Sequence, residues 1–222
     1  MSESTTEQRL AKAKALVDVV REEVWDAAPL RSLVVQEQFG VEHYVRPKVH
    51  EKIAYTRTPT THHIRFAPDY FVVDLRRPER TYLLEYKYTD SPLRDAVRLD
   101  ELKRASRDDL AFSDVGQWEA AAYDNYRALA GLGINVCVLN YVSFHGRPLL
   151  CESIRRVKQI WRSAGPGTTV EGSRTPWVNL DLAQLRSLGE FLRNVHGLSP
   201  ELTQPLIERA IARLRKMEAI PR

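Results

Sequence analysis

One stretch of this 222-residue chain, residues 134–142 (INVCVLNYV), constrains the fold more than any other. It is nearly continuous in apolar residues, the pattern of a strand covered on both faces rather than one with a wet side. Just before it, Trp118, Ala122, Tyr126 and Leu129 line one face of a helix that follows Gly116 and closes at Gly131 and Gly133. A helix feeding a doubly covered strand places the chain in the α/β class.

The rest of the pattern fits around that unit. Ser4 with Glu7 three residues on is a capping-box pattern, and Leu10, Ala13, Val17, Val20 and Val24 recur behind it, predicting a first helix that ends near Pro29. A short helical run over 31–39 stops at Gly40. Tyr44, Val49, Ile53 and Tyr55 then suggest one or two strands, and Pro47 and Pro59 argue against a long helix there. Residues 62–66, 70–75 and 80–89 are rich in strand formers, the last two runs being separated by the turn-like RRPE at 76–79. Residues 90–114 are polar and charged, and a helix is expected at 149–163.

Gly and Pro punctuate residues 164–176 (AGPGTTVEGSRTP), which read as an exposed connection. The predicted organisation is a main domain over 1–163, a linker over 164–176 and a small helical extension over 177–222, with amphipathic helices at 181–195 and 205–218.

Composition excludes several classes. With 43% hydrophobic residues, 10 Gly and 12 Pro, the chain is globular rather than disordered or fibrous. No apolar run approaches the ~18 residues a membrane span needs, and MSESTTEQRL lacks the character of a signal peptide, so a cytoplasmic protein is expected. Cys137, in an apolar run, and Cys151, at the head of the expected helix, have neither metal-ligand spacing nor a disulfide framework and read as reduced packing residues. The net charge of +4 is unevenly spread: residues 1–146 carry 20 basic and 22 acidic side chains, residues 147–222 carry 13 and 7.

The residues that carry chemistry lie in the central strands. Pro68-Asp69 opens one strand, and the next contains Glu85-Tyr86-Lys87. Side chains alternate along a strand, so Glu85 and Lys87 share one face while Tyr82, Leu84, Tyr86 and Tyr88 share the other. A hairpin can bring Asp69 beside Glu85, giving two hard oxygen ligands suited to Mg²⁺ or Mn²⁺. A lysine two residues on can orient water or stabilise charge developing on a phosphate.

In these residues the chain resembles the PD-(D/E)XK nuclease superfamily, over roughly residues 5–163. The resemblance implies the restriction-endonuclease-like fold, an αβββαβ core with a mixed central sheet flanked by helices. It implies Asp69 and Glu85 as metal-binding acids, Lys87 as the catalytic lysine and the Tyr86 carbonyl as a further ligand. It also implies an acid on the first core helix, for which Glu37 is preferred over Glu51 and Glu42, and a polar residue on the helix after the second motif, assigned to Gln117 with Tyr123 nearby.

The function expected is metal-dependent hydrolysis of phosphodiester bonds, in DNA before RNA, by a homodimer or within a larger nuclease complex. The alternative is a nuclease-fold subunit without activity that binds nucleic acid or serves assembly. Arg155, Arg156, Lys158 and Arg162, flanking Ile154, Val157 and Trp161, would make a one-sidedly basic helix for phosphate contact. Arg209, Arg213, Arg215 and Lys216 repeat the pattern and also suit the negative end of a terminal helix. His62 and His63 face opposite ways on a strand and, with His43 and His50, do not make a metal site. Asp74 reads as a strand-end or turn acid before a third ligand, and Trp118, Tyr123 and Tyr126 as core aromatics before base-stacking ones.

Overall fold

The computed structural model describes residues 15–30, 32–37, 68–89, 114–163 and 177–218. The first helix, α1, runs over 15–25, and its last turn, Arg21–Trp25, is π-helical. Leu16, Val19, Val20, Val24 and Trp25 form its buried stripe. The capping-box residues expected to start it lie outside the described residues.

The segment expected to continue as a helix over 31–39 is instead strand β1, Leu33–Glu37. Adjacent β-branched residues in LVVQE lose side-chain freedom in a helix and suit a pleated strand, and β1 finds an antiparallel partner in β2, Tyr70–Asp74. A turn of 3₁₀ helix at Pro78–Arg80 leads into β3, Tyr82–Thr89, which runs antiparallel to β2. The strands expected over 44–55 and 62–66 lie outside the described residues.

Strand β4, Val115–Glu119, occupies what the sequence read as the first turn of a helix, and α2, Ala120–Gly131, follows directly. The chain then enters β5, Val136–Val142, whose seven residues are all buried and which lies parallel to β3. The helix expected at 149–163 is two strands, β6, Leu149–Ser153, and β7, Gln159–Ser163. Leu150, Ile154, Val157 and Trp161 do recur at helical spacing, but the short connection 143–148 returns the chain antiparallel along β5, and that ladder decides the outcome.

Residues 177–218 are woven into the same body. Strand β8, Trp177–Asp181, pairs with both β4 and β7, and β9, Arg186–Ser187, extends the main sheet beside β6. Helix α3, Leu188–His196, starts at a capping box made by Ser187 and Glu190 and stops at Gly197, whose φ of 68° favours glycine. Helix α4 spans Pro200–Glu218. The longer helix expected over 181–195 is therefore split, nearly half of it, residues 181–187, given to strand and 3₁₀ turn.

The result is a mixed α/β architecture. A six-stranded sheet of order β1-β2-β3-β5-β6-β9 is antiparallel except at β3–β5, and a second sheet has order β4-β8-β7. One core cluster joins a face of the main sheet to α1, α3 and α4, with Leu84, Leu139, Phe191 and Leu206 among its members. The other joins the opposite face to α2 and the small sheet through Trp118, Tyr126, Val138 and Leu180. Strand β5 supplies Cys137, Leu139 and Tyr141 to the first and Val136, Val138 and Val142 to the second. This explains its unbroken apolar run. Among the described residues no helix is long and apolar enough to cross a membrane.

Candidate functional site

The hairpin of β2 and β3 sets Asp69 beside Glu85. Tyr70 pairs with Leu84 and Phe71 with Leu83, so the register carried back one step brings residue 69 opposite residue 85. Asp69 Oδ2 accepts the Tyr86 backbone N–H at 3.0 Å, which fixes the carboxyl against the third strand. The Asp69 carboxyl also stands close enough to Glu85 to feel its charge. Desolvation of the carboxyl, and then the charge of Glu85, push the Asp69 pKa up, against the opposing Tyr86 N–H and Lys87, although the residue as a whole is exposed.

Lys87 Nζ donates to Glu85 Oε1. Burial alone would lower the lysine pKa, but the carboxylates of Glu85, Asp69 and Glu119 outweigh it and hold it above the ordinary value. Tyr126, buried on α2, packs over the same cluster. Its ring centroid lies 5.6 Å from Lys87 Nζ. Burial first, and then Glu85, keep the phenol protonated far above its usual range.

Behind the site, Tyr86 turns its ring to the other face of the sheet. There its hydroxyl accepts Trp25 Nε1–H at 2.7 Å, and the ring meets Tyr70 edge-on at 5.1 Å. The alternation read from sequence thus has a structural consequence. The even residues of β3 anchor the strand to α1 while the odd ones build the site.

Other expected site residues fall elsewhere. Glu37 closes β1 in register with Tyr70, one step from Asp69, and so stands on a strand instead of a helix. Glu42, Glu51 and the histidines at 43, 50, 62 and 63 lie outside the described residues. Gln117 sits on β4 and donates from Nε2 to Asn179 Oδ1 at 2.7 Å. Two residues later, Glu119 is the β4 side chain whose charge acts on Lys87 and Tyr126. Tyr123 donates its hydroxyl to the Val157 carbonyl at 3.0 Å, a packing role.

Arg155, Arg156 and Lys158 occupy the exposed turn between β6 and β7, and Arg162 lies on β7, so the basic helix does not form. Arg155 Nη2 donates to the Ala130 carbonyl at 2.6 Å, capping the end of α2. Arg162 makes a two-pronged pair with Asp124, at 2.6 and 2.9 Å. On α4, Arg209 and Arg213 pair with Glu23 and Glu22 of α1.

Asp74 is the buried strand-end acid the sequence suggested. It accepts the Arg76 and Arg77 backbone N–H groups at 3.0 and 3.2 Å and stands 2.7 Å from His196 Nδ1. Both cysteines are free and buried, Cys151 on β6 instead of a helix, and burial raises both thiol pKa values.

Glu119 and Tyr126 are the site members that sequence reading missed. Tyr126 belongs to the helical stripe of α2, where an aromatic signals core, and only its hydroxyl distinguishes it. Among the described residues no three His, Cys, Asp or Glu side chains gather in a metal-holding group. The donor set at Asp69 and Glu85 is two neighbouring carboxyls whose charges repel. Such a pair suits a hard divalent cation, because bringing one in relieves the repulsion that otherwise holds a proton there.

No family model matches this chain, and neither does any curated protein or solved structure.

Proposed function

We propose that this protein is a metal-dependent nuclease that hydrolyses phosphodiester bonds, with DNA as the leading substrate. The observation that carries the reading is the Asp69–Glu85–Lys87 cluster on one sheet face, closed by the Tyr86 N–H. The order of α1, β1, β2, β3, α2 and β5, with β5 parallel to β3, agrees with the αβββαβ core that the resemblance implies and supports the same reading.

Asp69 and Glu85 would hold Mg²⁺ or Mn²⁺, with the Tyr86 carbonyl as a further ligand. Such an ion supplies a Lewis acid for the phosphate and lowers the pKa of a bound water. The chain's own part is positional and electrostatic. Asp69 would bind as the carboxylate, any proton it carries passing to solvent, and would stay aligned by the Tyr86 N–H. Lys87 is held in the ammonium form by the surrounding acids, so it stabilises the charge that builds on the phosphate.

The test is a panel of linear, nicked, branched and single-stranded substrates with Mg²⁺, Mn²⁺ or EDTA, comparing the wild type with Asp69→Asn, Glu85→Gln and Lys87→Met. Each substitution should reduce divalent-dependent cleavage by about a hundredfold or more. Cleavage that survives all three, or nucleic-acid binding with no cleavage by the wild type, would overturn the proposal.

A further inference from the structure

A cleft of about 380 Å³ opens between α2 and the connection from β6 to β7. Arg127 of α2, Lys158 of the connection and Arg162 of β7 line it, and Asp124 is the one acid among the lining residues. That acid is already committed to Arg162 through their two-pronged pair. Arg127 and Lys158 are exposed and have no acidic partner among the described residues. The wall that carries them is tied down from beneath. Tyr123 donates its hydroxyl to the Val157 carbonyl at 3.0 Å, and Gln184 Oε1 accepts the Lys158 backbone N–H at 3.0 Å. Arg127 Nη1 reaches the carbonyls of Ile154 and Arg155, both at 3.2 Å. These bonds spend one guanidinium nitrogen of Arg127 and none of the Lys158 ammonium, so both charges stay open to a ligand.

We infer that this cleft holds the phosphodiester backbone of the nucleic acid, with Arg127 and Lys158 as its phosphate contacts. The inference rests on the nuclease reading for the identity of the polyanion. Phosphates repeat along a strand, and contacts to them fix the register of a protein on it. Cations set on two walls of one groove, on backbone already tied in place, meet such a repeat with little further ordering. Helix α2 also joins the cleft to the site. Tyr123 and Arg127, four residues apart, lie on one flank of the helix and both line the cleft. Tyr126, one residue before Arg127, sets its ring 5.6 Å from Lys87 Nζ. A strand gripped in the cleft therefore lies beside the helix that overlooks Lys87.

Binding of a fluorescein-labelled DNA duplex to the full chain should be followed by anisotropy across a salt series in EDTA, for the wild type, Arg127→Gln, Lys158→Gln and Arg127→Lys, with thermal melting run alongside. Each charge removed should reduce the slope of log K against log salt by about 0.9. Arg127→Lys gives up the guanidinium bonds to Ile154 and Arg155 but keeps the charge. It should restore the wild-type slope even where its melting temperature falls, a rescue that a purely structural role for Arg127 would not give. Slopes left unchanged by both glutamine variants, or a wild type that does not bind the duplex, overturn the inference. Binding through the cleft with no cleavage once Mg²⁺ is added overturns the nuclease reading and leaves the cleft standing.

Discussion

Replacing Asn140 with valine should make this protein more stable. Asn140 is fully buried in the middle of β5, in register with Lys87, on the face that also carries Val136, Val138 and Val142. Its Oδ1 accepts the Thr89 hydroxyl at a long 3.4 Å, and its Nδ2 has no hydrogen-bond partner among the described residues. Leaving a buried donor unsatisfied costs about 1–3 kcal/mol. Valine removes that cost, forfeits a weak bond worth at most about 1 kcal/mol and leaves the partly exposed Thr89 free to bond water. The valine side chain is slightly larger, and crowding takes back part of the gain.

The net expectation for Asn140→Val is a gain of about 1 kcal/mol, or about 2–4 °C in Tm for a chain of this size. Urea unfolding followed by circular dichroism would measure it, with an unchanged m-value showing that the unfolded state is unaltered. The same variant should cleave more slowly, because the stability cost sits beside Lys87, where function can repay it. A fall in stability of a kilocalorie or more would refute the reasoning, since it would mean the amide is satisfied and its loss leaves a partner orphaned.

The remaining predictions concern buried charge. His196 is held below its ordinary pKa by burial, which outweighs Asp74, and Asp74 is held below its own range by His196 and the Arg76 and Arg77 N–H groups in spite of burial. Both folded values lie under the unfolded ones, so their contribution is present above the unfolded pKa and is lost on acidification. The wild-type Tm should therefore fall relative to that of His196→Gln as pH drops below about 6.5, a comparison in which the opposite pull of Asp69, whose raised pKa favours the fold on acidification, cancels; a Tm difference between the two proteins that stays level from pH 7 to 5 would contradict it. Arg186 grips the buried Glu152 carboxylate with Nε at 2.7 Å and Nη2 at 2.6 Å. Arg186→Met should cost about 3–5 kcal/mol in urea unfolding, and pairing it with Glu152→Gln should recover much of the loss.

How much of this was legible in the sequence depended on how far each feature reaches for its partner. The apolar run of β5, the stripe of α2 and the alternation of β3 are local signals, and each marks a real element. Asp69 and Glu85 meet because a short turn joins their strands, so their proximity also follows from nearby sequence. Residues 149–163 went the other way. Their helical spacing is real, but the antiparallel pairing with β5 that overrides it is tertiary. Strand β4 is harder still, because its partner β8 begins more than 50 residues later, beyond a segment that reads as a linker. Tyr126 was visible as a core aromatic and invisible as a site residue, since only the packing of α2 over β3 sets its ring against Lys87.

The basic excess beyond residue 147 can now be divided by what its members touch. Arg162 is matched by Asp124, Arg186 by Glu152, and Arg209 and Arg213 by the α1 glutamates, so these charges are largely compensated within the fold. Arg155 bonds a backbone carbonyl, which occupies a donor without cancelling charge, and Arg156 and Lys158 are exposed on the same turn. If that turn grips the backbone of nucleic acid, it offers about three charges. Converting Arg155, Arg156 and Lys158 to Ala should then reduce the slope of log K against log salt by about 2.7 on duplex DNA, or about 2 on a single strand. Arg162→Ala should reduce it little, because the charge it removes is already paired. Fluorescence anisotropy across a salt series measures both. A slope that the triple variant leaves unchanged would mean that the phosphate contacts lie elsewhere on the chain, and the turn would then serve only to join β6 to β7 and to cap α2.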